Sequence, residues 1–488
     1  LDLGFNMRLW KKESLKIFLV STAMVLNIAA AEAGLANVWS LIKSSDGGVG
    51  NYPQIISNLI DRGLYFTSIP YIKEYLVSSS SIKNKEIDQL IDKVVTVVGI
   101  KQFEILPIRV LARSKAPILR YILAKKYFRE GKYTSALSSL NASIPNNHSS
   151  KPFALLLEGS IFSITKRYKN AIEAYKECIS KSDSDLSKYN NKNRKRQLKI
   201  NRDYCVVGIA RAQFSAGSFD RANLSYLDLE KSSHIWPEIL FEEAWNSFYQ
   251  RDFNRTLGKL VTYKAPLLTY IFNPEIEVLR ALTFFELCLY GDAKKVAASF
   301  QEKYEAQSGG LSGLLRKHGK DYKYYYLLAK TIAKGRQRGN RLIIQLTNSI
   351  IRDPTYRELH DSFQDGREEL AVVRGITNRT LRRVLSVNLR DALLLQRNLI
   401  GGYVRKGLEL YKYQLRQSFI GMSNIKLEIL RKRKKELYYL EKEKPRARGD
   451  IKNLKRNEKQ YFWNFNGEFW ADELGDYVFS LKSKCDKT

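Results

Sequence analysis

The chain has 488 residues, 44% of them hydrophobic, which is enough for one long repeat array or for about two or three ordinary domains. It contains 11 proline and 28 glycine residues and 12% aromatic residues, which excludes collagen-like and Pro/Gly-rich disordered proteins. Lys and Arg number 82 against 50 Asp and Glu, for a net charge of +32. Such a surface attracts nucleic acid, anionic lipid headgroups, acidic envelope polymers or acidic proteins, and charge alone does not choose among them.

A secretory signal peptide is predicted over residues 7–33. Basic residues follow Met7, an apolar run covers residues 17–31, and Ala31-Glu32-Ala33 forms a small-residue cleavage site before Gly34. The run is shorter than the ~20 apolar residues of a transmembrane helix, and a membrane anchor or a buried first helix are the alternatives. We therefore expect an exported protein of the periplasm or cell envelope, without a transmembrane span in the mature chain. Export disfavours nucleic acid as a partner.

Internal repeats organise residues 51–305. Five segments carry a small residue in one predicted helix, followed by Gly-x-Tyr/Phe-x-x-Ala or a close variant in the next helix. The small residues of the second helices stand at 136, 171, 222, 256 and 293, and most of these intervals are close to a ~34-residue period. A weaker copy begins at Gly63-x-Tyr65. The pattern resembles tetratricopeptide (TPR) repeats.

The TPR resemblance implies an all-α fold, a TPR-type right-handed α-solenoid followed by a C-terminal helical segment. In each repeat, small residues let two antiparallel helices approach closely, and neighbouring units stack because one unit cannot bury its own apolar face. The predicted repeat-packing residues are Ala124, Ala136, Gly159, Ala171, Ala210, Ala222, Ala244, Ala281 and Ala293.

Basic segments and long helices make up much of the remainder. A basic insert at 181–202 is expected to be a solvated loop or a helix extension, and Ser308-Gly309-Gly310 is a predicted turn. Residues 320–440 form a predicted long-helix region, with apolar residues at 408, 411, 415, 419, 422, 425 and 429 along one helix face. The candidates for binding a polyanion are Lys192, Arg194, Lys195, Arg196, Arg431, Lys432, Arg433, Lys434 and Lys435, with ordinary solvated surface charge as the alternative.

No catalytic residue, cofactor or metal site is predicted. The four cysteines are far apart and the four histidines stand alone, without C-x-x-C or H-E-x-x-H spacing. Nucleophile-elbow, P-loop and dinucleotide-binding patterns are also absent from the sequence, so we expect a protein that is not an enzyme. Cys178 falls late in one repeat and Cys205 early in the next, and consecutive solenoid helices pack side by side. The two thiols are therefore placed to form a disulfide in an oxidising compartment.

The C-terminal tail, 441–488, is rich in aromatic residues between Tyr461 and Tyr477. These residues either dock on the protein's own helices or form a patch for a partner. The pattern W-x-F-x-G-E-F-W-x-D-E-L-G-x-Y at 463–477 resembles the tail of exported TPR proteins of gliding and predatory bacteria, and the segment 241–257 is similar to that family too. The resemblance implies an envelope scaffold, associated in some members with gliding motility. This chain lacks the acylated cysteine of the lipoprotein members.

The first helix of each TPR repeat lines the concave groove, and transferring those positions predicts a partner-binding surface. Its aromatic residues and cations suit an extended peptide or protein segment, including one that carries acidic groups. One alternative is that the C-terminal helices fill the groove. Another is that the protein binds anionic envelope polymer or lipid headgroups electrostatically, which salt would weaken. The predicted groove residues are Tyr121, Lys125, Phe128, Arg129, Tyr204, Arg211, Phe214, Phe241, Trp245, Phe248, Tyr249 and Phe285.

Overall fold

A computed structural model describes residues 35, 37–45, 48–79, 85–141, 144–336, 339–437, 451 and 454–485. At 85 and 433–437 it describes the backbone alone. The predicted signal peptide, 7–33, lies outside the described residues, as does the boundary between the predicted long-helix region and the tail at 438–450.

The described chain is almost entirely α-helical and divides into two compact units, which confirms the all-α prediction. Unit 1 comprises the described residues up to Glu130 together with Glu358–Arg397, and unit 2 comprises Gly131–Arg357 and the residues from Asn398 onward. Unit 1 contains α1 (Tyr52–Ile60), α2 (Tyr65–Ser78), α3 (Lys85–Val98), α4 (Ile108–Arg113) and α5 (Pro117–Arg129).

Unit 2 is a TPR-type series of helix hairpins followed by longer helices. The helices that build these hairpins are α6 (Tyr133–Asn141), α7 (Lys151–Ile164), α8 (Tyr168–Leu186), α9 (Lys192–Ser215), α10 (Phe219–Tyr226), α11 (Trp236–Tyr249), α12 (Phe253–Thr262), α13 (Glu275–Glu286) and α14 (Tyr290–His318). These are followed by α15 (Tyr322–Ala333) and α16 (Arg341–Arg352). Two further helices, α17 (Pro354–Arg374) and α18 (Arg379–Leu437), contribute residues to both units.

One turn geometry joins the two helices of each hairpin. Two residues before the aromatic residue that begins the second helix, the backbone has a positive φ, between 54° and 72–76°. The next N–H donates to the carbonyl five residues back, as from Ser218 to Gln213 at 2.9 Å and from Asp252 to Ser247 at 2.9 Å. The repeated bond satisfies a carbonyl at the end of the first helix and fixes the direction of the second. The hairpin-turn residues with this positive φ are Gly63, Gly131, Lys166, Gly217, Arg251 and Cys288.

Exchanging glycine and side chain at this turn should change stability in opposite directions. A side chain in the left-handed region costs about 1–2 kcal/mol, whereas glycine costs about 0.5–1 kcal/mol in unfolded-state entropy. We expect Gly217→Ala to lower the free energy of unfolding, and Arg251→Gly to raise it by up to about 1 kcal/mol. Urea denaturation of both variants measures this. A loss of stability in both would show that the turns are not equivalent.

A close helix contact at Tyr175 shows why small residues recur. The Tyr175 ring lies so near two neighbouring helices that a Cβ added at Gly159 or Gly208 would stand 2.5 or 2.6 Å from a ring atom. Any side chain there would force the helices apart. The predicted repeat-packing alanines are likewise buried, with no more than a trace of exposed surface.

The predicted disulfide lies in the same core. Cys178 of α8 and Cys205 of α9 are bonded, with Cα atoms 6.3 Å apart, which confirms the pairing expected from adjacent solenoid helices. Both are fully buried beside Tyr175 and Ala171. The basic insert that separates them in sequence is mostly helical, since α8 runs to Leu186 and α9 begins at Lys192.

The turn predicted at Ser308–Gly310 is wrong, because α14 is continuous through it for 29 residues. A Cβ at Gly310 would collide with the Asn340 side chain, whose Nδ2 donates to the Gln307 carbonyl at 3.3 Å. Gly310 therefore serves a close tertiary contact, and the helix tolerates it because it is held by packing on both sides of this point.

A buried carboxylate anchors α2 in unit 1. Glu369 of α17 accepts hydrogen bonds from the Phe66 and Thr67 N–H groups at 2.7 and 2.9 Å, at the first turn of α2. The Thr67 hydroxyl donates to the same carboxylate at 2.8 Å. Burial raises the pKa of Glu369 to about 7, although these hydrogen bonds act in the opposite direction. The later chain thus completes unit 1 by capping an early helix.

The C-terminal tail docks on the helices of unit 2. Its strands β1 (Trp463–Asn464) and β2 (Tyr477–Val478) pair in parallel, and Leu474 and Tyr477 are buried against Trp236 and Leu240 of α11. The tail backbone at Tyr477 passes so close to α12 that only a glycine fits at 258. A second disulfide, Cys288–Cys485, holds the end of the tail to the turn before α14. Tyr461, Trp463 and Trp470 remain exposed.

Candidate partner-binding surface

The predicted groove residues of unit 2 lie on the first helices of consecutive hairpins. Tyr204, Arg211 and Phe214 belong to α9, and Phe285 to α13. The residues Phe241, Trp245, Phe248 and Tyr249 belong to α11. Phe241 is buried, Tyr249 is exposed, and the others are half-buried. Some of the predicted groove residues are therefore part of the core, and others are accessible to solvent.

The C-terminal helices of unit 2 pack against its later hairpins. The Tyr411 ring of α18 lies 5.2 Å from that of Phe272, and Phe419 of α18 lies 5.1 Å from Phe300 of α14. The Lys426 ammonium donates to the Gln301 side chain at 2.5 Å. The residues at 408, 415, 422, 425 and 429, on the predicted apolar face of this helix, are buried.

The C-terminal helices of unit 2 also reach the predicted groove near Tyr204. Asp353, which follows α16, accepts a hydrogen bond from the Tyr403 hydroxyl at 2.6 Å. Burial, together with the nearby carboxylates of Glu238 and Asp353, raises the pKa of Tyr204. Burial also raises the pKa of Glu238, against the opposing effect of the Arg211 charge. Tyr204 is thus half-buried beside the protein's own acidic groups.

Arg211 is already paired. Its Nε lies 2.8 Å from Oε2 of Glu242 and its terminal nitrogen 2.5 Å from Oε1, a bidentate arrangement, and the Tyr226 hydroxyl donates to the same carboxylate at 3.2 Å. The interpretation of Arg211 as a receptor for a partner's carboxylate therefore does not describe this structure. Glu242 comes from the next first helix, one repeat along, so the pair joins neighbouring repeats.

The remaining end of the surface is a cluster of adjacent rings, which we call the aromatic patch. Phe219 and Tyr249 stack at 5.3 Å with their planes 13° apart, and Phe214 lies edge-on to both at 5.3 and 5.4 Å. Trp245 continues the cluster at 6.0 Å from Tyr249. Tyr249 is 54% exposed, so the patch opens to solvent. The aromatic patch consists of Phe214, Phe219, Trp245, Phe248, Tyr249 and Phe253.

Two members of the aromatic patch were not predicted as site residues. Phe219 and Phe253 begin second helices and were used as repeat markers, yet their rings reach the edge of the first-helix surface. The recurring Gly-x-aromatic motif was the available signal, because it places an aromatic ring next to the hairpin turn.

The predicted groove residues of unit 1 surround one buried carboxylate. Glu104 lies 3.5 Å from Lys125, 2.9 Å from Arg129 and 3.0 Å from Lys101, with only 9% of its side chain exposed. Burial would raise the pKa of Glu104, but these three cations, with the Arg129 hydrogen bond first, lower it to about 2. The Lys125 ammonium also lies 5.6 Å above the Tyr121 ring. Lys125 and Arg129 are therefore structural partners of Glu104. Phe128 is half-buried on the same helix.

The predicted polyanion-binding residues differ in exposure. Arg194 is half-buried, donates to the Ser149 carbonyl and stacks over Phe153 and Tyr189, so it holds the start of α9 in place. Lys192, Lys195 and Lys432 are exposed, Arg196 is half-buried, and Arg431 pairs with Glu428 at 2.9 Å. The side chains of Arg433, Lys434 and Lys435 lie outside the described residues.

Among the residues that the structure describes, no cluster of His, Cys, Asp and Glu is arranged to hold a metal ion. Within the same ranges, no helix combines the length and apolar character needed to cross a bilayer.

No family model and no curated protein matches this sequence. Several solved structures do match, and two of them are Rap proteins. The crystal structure of the apo form of RapI is 10% identical with a TM-score of 0.31, covering 58% of this chain and 98% of that one. The Rap conjugation gene regulator of plasmid pLS20, in complex with the Phr* peptide, is 11% identical with a TM-score of 0.30, covering 72% and 96%. At these values the likeness carries no conclusion about the site, and the resemblance to exported proteins of gliding bacteria stays a prediction.

A double-mutant cycle should measure the link between repeats at Arg211. The side chains of Arg211 and Glu242 are 40% and 28% exposed, so the pair is expected to contribute about 1 kcal/mol, nearer to a surface pair than a buried one. Denaturation of Arg211→Ala, Glu242→Ala and the double variant gives the coupling energy. A coupling near zero would mean that the bidentate contact does not persist in solution.

Proposed function

We propose that this protein is a non-catalytic scaffold that binds an extended peptide or protein segment at the aromatic patch. The single observation that carries the proposal is a contiguous set of six aromatic side chains at the open end of a TPR-type surface, with Tyr249 more than half exposed. Aromatic residues in clusters of this kind supply most of the binding energy at protein interfaces, because they bury a large area with few rotatable bonds.

The pairing of Arg211 affects which side chains the bound segment would carry. Because Glu242 pairs with Arg211, the cation predicted to receive a partner's carboxylate already has a carboxylate partner within the protein. The segment that fits best therefore carries apolar or aromatic anchor side chains, and acidic residues are not required for recognition. This refines the expectation of an acidic partner.

The test is selection of binding peptides from a random phage-displayed library against the full chain. Peptides that bind the patch should carry at least two large apolar side chains. Their affinity should fall at least tenfold, which corresponds to ~1.4 kcal/mol, in Tyr249→Ser. Fluorescence anisotropy of the labelled peptides gives the dissociation constants. Because Tyr249 is exposed, its replacement should leave folding intact.

Tyr461→Ser is the matched control, since Tyr461 is an exposed tyrosine of the tail outside the patch. It should leave the affinity of the selected peptides unchanged. Peptides that bind wild type and Tyr249→Ser equally would place the binding surface elsewhere and contradict the proposal.

We further propose that the scaffold works in the cell envelope, where the predicted signal peptide and the resemblance to exported proteins of gliding bacteria would place it, and where a role in motility is one expectation. The pairing of all four cysteines supports this, because disulfides persist in oxidising compartments and are rare in the cytosol.

Export can be checked on protein purified from its native source. We expect N-terminal sequencing to begin at or near Gly34, and non-reducing peptide mapping to recover Cys178 linked to Cys205 and Cys288 linked to Cys485. A protein that retains Met7 and carries four free thiols would contradict the envelope assignment.

A further inference from the structure

The docked tail and the helices next to it form a cleft on the surface of unit 2, with a volume of about 470 Å³. One wall comes from the end of α10, from α11 and from the residues between them, and the other comes from tail residues between Lys459 and Asp476. Small-molecule sites in proteins are clefts of about 300–1,000 Å³. The size of this cleft therefore suits a small molecule, and its lining residues are distinct from those of the aromatic patch.

Aromatic rings line the cleft at two depths. Trp236 of α11 is 7% exposed, and the tail backbone packs so closely on it that a Cβ at Gly475 would lie 2.7 Å from its ring. Tyr461 and Trp463 of the tail are 69% and 48% exposed. The cleft thus has one buried ring, held in place by packing, and two accessible rings. All three offer apolar surface that a ligand can cover.

Carboxylates outnumber ammonium groups in the cleft, although the whole chain has a net charge of +32. The Lys231 ammonium donates to the Asp476 carboxylate at 2.6 Å and to the Asp472 carbonyl at 2.9 Å. The Lys459 ammonium donates to the Asp228 carboxylate at 2.5 Å. Both lysines of the lining therefore already have carboxylate partners. The charged residues that line the cleft are Glu230, Glu243, Asp472, Asp476, Lys231 and Lys459.

Two of these carboxylates are accessible to a ligand. Glu243 is paired with Lys259, and both side chains are at most 5% exposed. Asp472 is exposed, and Lys231 contacts its carbonyl rather than its carboxylate. Glu230 is 71% exposed, and Lys199 approaches it only to 4.0 Å. Because exposed charges more than about 8 Å apart are largely screened at physiological ionic strength, Asp472 and Glu230 make the cleft locally negative.

The lining distinguishes between classes of small molecule. Its lysines are already bonded, which disfavours an anion. Beside a wholly apolar molecule the carboxylates would lose hydration without gaining a partner. Amide and aliphatic hydroxyl side chains, which both donate and accept and so suit a neutral sugar, are not among the described residues that line the cleft. The combination of rings and carboxylates fits a cation with apolar substituents.

We propose that the cleft between the tail and α11 binds a small organic cation whose charged group carries apolar substituents, such as a quaternary ammonium compound. The faces of aromatic rings attract cations, most strongly in tryptophan, and an alkylated ammonium group also covers their apolar surface. The carboxylates of Glu230 and Asp472 supply the opposite charge. This site differs from the aromatic patch in position and in ligand, and it does not depend on that patch.

The probe is choline, and its uncharged isostere is dimethylbutanol, in which a carbon atom replaces the charged nitrogen. Isothermal titration calorimetry on the full chain measures the affinity of both in 0.05 and 0.5 M salt. Choline should bind at least about tenfold more tightly than dimethylbutanol, and it should bind more weakly at the higher salt. Equal affinities for the two compounds, or no binding of choline, would overturn the proposal. Tighter binding of maltotriose than of choline would overturn it in favour of a sugar site.

Asp472→Asn and Trp463→Ser test the two features of the site separately. Each should weaken choline binding at least about threefold, because the first removes a charge and the second a ring. Glu468→Gln and Trp470→Ser are the matched controls, since both residues are exposed in the tail outside the cleft, and they should bind choline as wild type does. Circular dichroism checks that all four variants are folded. Unchanged binding in the site variants, or equal losses in the controls, would overturn the proposal.

Phosphatidylcholine vesicles distinguish a free cation from a lipid headgroup with the same chemistry. Cosedimentation that Trp463→Ser abolishes would support the proposal with the headgroup as the source, and choline binding without cosedimentation would support it with a soluble ligand. Cosedimentation that Trp463→Ser leaves intact, without choline binding, would overturn it. Peptides that depend on Tyr249 should bind Trp463→Ser as they bind wild type, which separates this result from the test of the aromatic patch.

Discussion

Close approach of paired helices is the constraint on which unit 2 depends. Tyr175 lies between α7 and α9, where Gly159 and Gly208 leave no room for a side chain. The left-handed turn residue between the two helices of each hairpin aims the second helix back along the first. Together these features stack the hairpins in register. The Cys178–Cys205 disulfide lies in the same core, so it fixes a contact that packing already defines.

Stacked hairpins of this type present a row of first helices, and the protein itself uses much of that row. Tyr204 is half-buried beside Asp353 and Glu238, and further along the chain Phe272 and Phe300 pack against α18. What remains open is the edge where aromatic residues of first and second helices meet around Tyr249. The surface that we propose for a partner is therefore small and apolar, which suits an extended segment with large side chains.

The cations of the predicted groove illustrate why a positively charged chain does not necessarily present positive binding sites. Arg211 is matched by Glu242, and Lys125 and Arg129 by Glu104, in each case by a carboxylate distant in sequence. At 40% and 48% exposure of the Arg211 and Arg129 side chains these pairs contribute modestly to stability, but each cation already has a carboxylate partner within the protein. The excess charge is left at exposed positions such as Lys192 and Lys195 of α9.

Local sequence determined the repeats. The Gly-x-aromatic motif and the small residues at the repeat period specify hairpins because they act through the backbone conformation and the packing of neighbouring residues, and the Cys178–Cys205 pairing followed from the order of the helices. The apolar face of α18 was also visible as a helical period.

Contacts between distant segments were decided only in the tertiary structure. Asn340 packs against α14 at Gly310, Arg211 pairs with Glu242, and the docking of the tail depends on Gly258 and on the bond from Cys288 to Cys485. A sequence pattern shows which faces are apolar and which residues are charged, but the partner of each is fixed by the way the chain folds back on itself.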